Sequence, residues 1–114
     1  MILETLKKSN MKYNAKIDKN QPEIVKALKV YGAQVLLTHQ IKNAFDILVG
    51  FRGELFIMEI KNPEYLPKVY DRERLEKQLS EGEHKCMEMF KKVGVPYHIV
   101  ATKEEAFDII SKKD

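Results

Sequence analysis

The sequence has a single cysteine, Cys86, so it holds no intramolecular disulfide framework and no cysteine-based zinc cluster. Its three histidines, His39, His84 and His98, lie far apart and lack zinc-ligand spacing. No apolar run approaches the roughly 20 residues of a membrane span. No charged segment followed by an apolar one opens the sequence, so no secretory signal is expected. Repeats and low-complexity segments are also missing. Together with the lone thiol, which suits a reducing compartment, these absences predict a cytoplasmic, intracellular protein with no membrane partner.

What remains is a chain of 114 residues, enough for one domain with no room for a second core. The net charge of +3 is unevenly spread. Residues 1–42 hold eight lysines against Glu4, Asp18 and Glu23, whereas residues 43–114 are slightly acidic. A basic first third suits an anionic partner such as nucleic acid, and equally a solvated lysine-rich surface. Residues 1–19 are lysine-rich without clear periodicity and read as a basic arm, leaving 20–114 as the folded domain.

The domain opens with NQPEIVKALKVYG. Asn20 can cap a helix, Pro22 suits its first turn and Gly32 its end. Ile24, Ala27, Leu28 and Tyr31 fall on one face. A short strand follows at 34–38, then the polar HQIKN connection. The stretch FDILVGFRGELFIMEIK, residues 45–61, predicts two strands at 44–50 and 55–61 joined by Arg52-Gly53. NPEYLPKVYD is a loop. From 71 to 93, Leu75, Leu79, Cys86, Phe90 and Val93 recur at helical spacing, interrupted by Gly82 at a cost of about 1 kcal/mol. Gly94 and Pro96 end that helix, PYHIVAT is a strand, and Thr102 with Glu105 forms a capping box for a last helix. The order is α-β-β-β-α-β-α, an α/β domain with one mixed sheet flanked by helices.

Three ionisable groups sit in the hairpin. Glu59 and Lys61 share a strand face. A two- or four-residue loop places Asp46 directly across from Glu59, on strands whose apolar residues occupy both faces. Like charges in such a site repel, and burial adds a desolvation cost. A proton, a basic side chain between them, or a hard divalent cation such as Mg²⁺ makes the pair tolerable. Lys61, one strand step beyond Glu59, approaches the site without filling it. The plainer alternative is a wet hairpin face on which all three are solvated.

Asp46, a short hairpin, then Glu59-Ile60-Lys61 resembles the motif of the PD-(D/E)XK nuclease superfamily, and the element order resembles its restriction-endonuclease-like core over about residues 20–110. EIKNP after the third strand, Gln78, and GVPYHIV are most similar to small stand-alone VRR-NUC domains and to phage or archaeal Holliday junction resolvases. The residue before Asp46 is Phe45, where the motif's name has proline. The resemblance implies a Mg²⁺-dependent DNA endonuclease, with Mn²⁺ able to substitute, acting on branched, flapped or junction DNA. It implies that Asp46, Glu59 and the backbone carbonyl of Ile60 bind the metal, and that Lys61 orients water or steadies phosphate charge. Glu23 is a further candidate ligand, and also the fourth residue of an Asn20-x-x-Glu23 capping box. Gln78 would face the active site, or is an exposed helix residue. Tyr65, Lys68, Tyr70, Arg72 and Arg74 are candidate nucleic-acid contacts or plain surface. His39, beside Lys42, is a candidate nucleic-acid contact, and His98 reads as structural. Cutting two strands suits a symmetric homodimer. The alternative function is a non-catalytic nucleic-acid-binding module of the same fold.

Overall fold

A computed structural model describes residues 18–112 of the chain. The basic arm expected at 1–19 therefore lies, apart from Asp18 and Lys19, outside the described residues. The elements are α1 (Gln21–Val30), β1 (Gln34–Leu37), β2 (Ile47–Phe51), β3 (Glu54–Ile60), a 3-10 turn (Pro63–Tyr65), α2 (Arg72–Glu76), α3 (Glu81–Lys92), β4 (Tyr97–Val100) and α4 (Lys103–Ser111). They form one α/β domain around a single mixed sheet ordered β1-β2-β3-β4. The first three strands are antiparallel, and β4 runs parallel to β3 after a crossover through α2 and α3.

Each sheet face is covered because side chains alternate along the strands. Ile47, Val49, Met58, Ile60 and Val100 pack against Ile24 and Leu28 of α1 and Ala106 and Ile110 of α4. On the opposite face Ile57, Tyr97 and Ile99 pack against Leu75 of α2 and Cys86 and Met87 of α3, with Leu48 and Phe90 at the edge. The hairpin face is therefore not wet at Glu59, which is 3% exposed, while Asp46 is half-buried. Among the described residues no helix is long and apolar enough to cross a membrane.

The hairpin turn has the two residues read from the sequence. Arg52 and Gly53 take φ of 50° and 82°, the left-handed pair that a two-residue turn needs to match strand twist. The pairs Phe51↔Glu54 through Ile47↔Met58 follow the expected register.

The single helix expected at 71–93 is two helices. The chain breaks between α2 and α3, not at Gly82. Ser80 caps α3 in a full capping box with Glu83, its Oγ accepting the Glu83 N–H at 3.1 Å. Two apolar stripes at helical spacing look continuous in sequence, but Ser80-x-x-Glu83 starts a new helix and turns it. Gly82 sits in the first turn of α3, where any Cβ would collide with the Asn43 side chain. Glycine there allows α3 to close onto the β1–β2 connection.

The box expected at Asn20-x-x-Glu23 does not form. Asn20 makes no side-chain cap, and Asp18 O accepts the Gln21 N–H instead. At α4 the Thr102 Oγ1 does accept the Glu105 N–H, but Glu105 reaches back to the Ala101 N–H at 2.7 Å.

Candidate functional site

The site forms where β3 ends and β2 begins. The β2–β3 ladder stops at Ile47↔Met58. The Asp46 N–H also bonds Met58 O, at 3.1 Å. Asp46 and Ile47 thus both face Met58, the arrangement of a β-bulge, which redirects a side chain beside a ladder. Asp46 is therefore not the direct cross-strand partner of Glu59 that an unbroken register predicts. Its carboxylate instead accepts the backbone N–H of Ile60 at 2.7 Å. Thr38 holds the bulge from the other side: its N–H bonds Asp46 O and its Oγ1 donates to Phe45 O.

Glu59 points from β3 into the face covered by α2 and α3. Lys61 follows on the same face, with Nζ 3.1 Å from Glu59 Oε2 and 2.9 Å from Glu83 Oε1. The lysine thus lies between Glu59 and Glu83, an acid pair that the sequence reading does not include. Glu83 is the residue that sequence reading missed. It enters the cluster because the Ser80 cap fixes the start of α3 over the end of β3.

Electrostatics follow from this burial. Desolvation raises the Asp46 carboxyl to about 6; the Ile60 N–H and Lys61 draw it down, while Asp18 and Glu83 push it up. Burial, then the charges of Asp46 and Glu83, drive Glu59 far above the ordinary carboxylate range against the pull of Lys61. Burial opposes the charge on Lys61, but Glu59 and Glu83 outweigh it and raise the ammonium pKa. At Glu83 burial is offset by the Lys61 bond and the Ser80 N–H, so that carboxyl is held low. Glu83 and Lys61 are therefore the committed ion pair. Asp46 and Glu59 are the carboxyls that a second positive charge would most relieve.

The oxygen donors suited to a hard cation are the Asp46 and Glu59 carboxylates and the Ile60 carbonyl. Among the described residues no group of three or more His, Cys, Asp or Glu side chains converges in metal-binding geometry. Two carboxylates and a carbonyl are hard oxygen donors, the type that Mg²⁺ takes alongside several waters.

The other expected participants lie elsewhere. Glu23 is largely exposed and pairs with Lys103 at 3.4 Å, between α1 and α4. It neither caps α1 nor acts on Asp46 or Glu59, and Asp18 is the acid from this end of the chain that does. Gln78 lies in the break between α2 and α3, its Nε2 donating to Tyr65 O at 3.1 Å, and it does not join the cluster. Tyr70 donates to Glu105 and Arg72 to Tyr97 O, which ties each to a neighbouring element. The Arg74 N–H bonds Asp71 Oδ1. Tyr65 is exposed. His39 Nδ1 lies 3.4 Å from Gln21 Nε2. His98 packs near Phe56, and burial holds its pKa low, as expected of a structural histidine.

Comparison with protein-family models, with curated proteins and with solved structures finds no match to this chain.

Proposed function

We propose that this chain is a divalent-cation-dependent endonuclease that hydrolyses DNA phosphodiester bonds, with Mg²⁺ as the cation, Mn²⁺ able to replace it, and branched, flapped or junction DNA as substrate. One observation supports the reading: burial opposes the charge of both the Asp46 and the Glu59 carboxyls, the charge of Asp46 raises Glu59 further, and the Lys61 ammonium lies 3.1 Å from Glu59. The similarity of the Asp46…Glu59-Ile60-Lys61 motif and of the element order to PD-(D/E)XK nucleases supports it.

Asp46, Glu59 and the Ile60 carbonyl would hold the cation. A divalent ion there supplies Lewis-acid polarisation of a phosphoryl oxygen and a more acidic water. The chain's own groups do the rest. The Ile60 N–H fixes the Asp46 carboxylate, so little reorganisation is needed when both acids ionise. Lys61 carries a permanent ammonium at the mouth of the site, placed to steady negative charge gathering on a phosphate. Glu83 holds that ammonium from the side away from the sheet. Two strands of a junction would be cut by a symmetric homodimer, one site per strand.

A second reading, a nucleic-acid-binding module without catalysis, draws on Lys61 already being engaged by two carboxylates. Duplex, flap, single-stranded and four-way DNA incubated with Mg²⁺ separate the two. Cleavage by the parent, lost in Glu59→Gln, supports the nuclease; binding without cleavage of any form in Mg²⁺ or Mn²⁺ supports the module.

A further inference from the structure

The β3 and β4 strands stop pairing at the functional site. Their last rung is the Lys61 N–H bond to Val100 O at 2.8 Å. Beyond it β4 turns into α4, and the Ala101 N–H goes to Glu105. Two carbonyls, Lys61 O and Ala101 O, stand just past the end of the ladder. The Asn20 side chain reaches both, Nδ2 donating to Lys61 O at 3.0 Å and to Ala101 O at 2.7 Å. These contacts span 41 and 81 residues of sequence.

The amide orientation is fixed by chemistry, since two carbonyl oxygens demand the nitrogen. Among the described residues its buried Oδ1 has no hydrogen-bond partner, so the two contacts are made by the nitrogen alone. It also forgoes the capping role that asparagine favours at a helix start.

We propose that Asn20 is a positioning residue that clips the ends of β3 and β4 together and thereby aims Lys61 between Glu59 and Glu83. The assignment deepens the nuclease reading, because Lys61 is the phosphate-facing cation there. The backbone from which Lys61 springs is held by its N–H on one side and by Asn20 on its carbonyl. Loss of the clip frees the carbonyl side and lets the ammonium leave its two carboxylates.

The test is an NMR measurement on the metal-free protein of the Lys61 side-chain ammonium, whose protons exchange slowly only while held by Glu59 and Glu83. The parent should show a resolved Lys61 ammonium signal. Asn20→Asp, nearly isosteric but without the donors, should lose it while the fold persists by backbone amide spectra. Asn20→Ser, able to keep one bond, should retain an intermediate signal, and it serves if the aspartate variant does not fold. A DNA substrate cut by the parent should be cut by Asn20→Ser with kcat reduced about tenfold and KM unchanged, which a loss of ~1.4 kcal/mol from the transition state produces. An unchanged ammonium signal in the folded variants overturns the assignment, as does a parent whose Lys61 exchanges as fast as the surface lysines. If the parent cuts no DNA, the nuclease reading fails, while the ammonium signals still decide the clip.

Discussion

The Asp46 carboxylate accepts the backbone N–H of Ile60 at 2.7 Å, so an acid just before β2 takes the place of a strand carbonyl as acceptor for a β3 amide. The bulge at Asp46 makes this contact, and it locks one of two poorly solvated acids at the edge of the other's field. That arrangement predicts how the protein responds to pH.

Asp46→Asn should flatten the pH dependence of stability in the absence of metal. The Asp46 carboxyl is raised from 3.8 to about 6 in the folded chain. Between those values the folded protein keeps a proton that the unfolded chain has lost, so stability falls as pH rises through the window. Asparagine still accepts the Ile60 N–H but does not titrate. Thermal melts in a chelator should show the variant gaining on the parent from pH 4 to pH 7 by about 2 kcal/mol. A parallel pH dependence in the two proteins would count against a raised Asp46.

Lys61→Met should destabilise the protein, and more so at high pH. The ammonium lies 3.1 Å from Glu59 and 2.9 Å from Glu83, and removing it strands two acids on a poorly solvated face. Breaking a buried pair by deleting one partner typically costs about 3–5 kcal/mol. Glu83, held low in the parent by Lys61, then binds its proton more tightly in the folded state than before, so the loss is smaller at pH 5 than at pH 8. Urea denaturation at the two pH values reads the difference.

Gly82→Ala should cost stability, although alanine is the better helix former by about 1 kcal/mol. The added Cβ would overlap the Asn43 side chain, whose own backbone sits at φ 61°. Overpacking of this kind costs about 1–3 kcal/mol. Adding Asn43→Gly should restore most of it, since glycine suits that φ and removes the obstacle. Denaturation of the single and double variants tests the pair.

Much of this was legible in the chain. The Arg52-Gly53 turn and the apolar residues on both sides of 45–61 fixed the hairpin, its register and the shared face of Glu59 and Lys61. The bulge was not legible, because one extra residue at Asp46 leaves the apolar pattern of Ile47 and Val49 undisturbed. Glu83 was missed because the stripe through Leu75, Leu79 and Cys86 suggested one helix, although Ser80-x-x-Glu83 carried the signal for a break. Asn20 looked like a cap by composition. Its long-range bonds to Lys61 and Ala101 depend on where two strands end in space, which local sequence does not encode.

The central claim is that Asp46 and Glu59 together hold one divalent cation. Calorimetric titration of the parent, Asp46→Asn and Glu59→Gln with Mn²⁺ at pH 8 and pH 5.5 tests it most directly. The account predicts one site per parent chain, proton release on binding, weaker binding at the lower pH because protons compete for the same carboxyls, and loss of the site in either variant. Binding that is unaltered in both variants, or a parent that takes up no ion at pH 8, would contradict it.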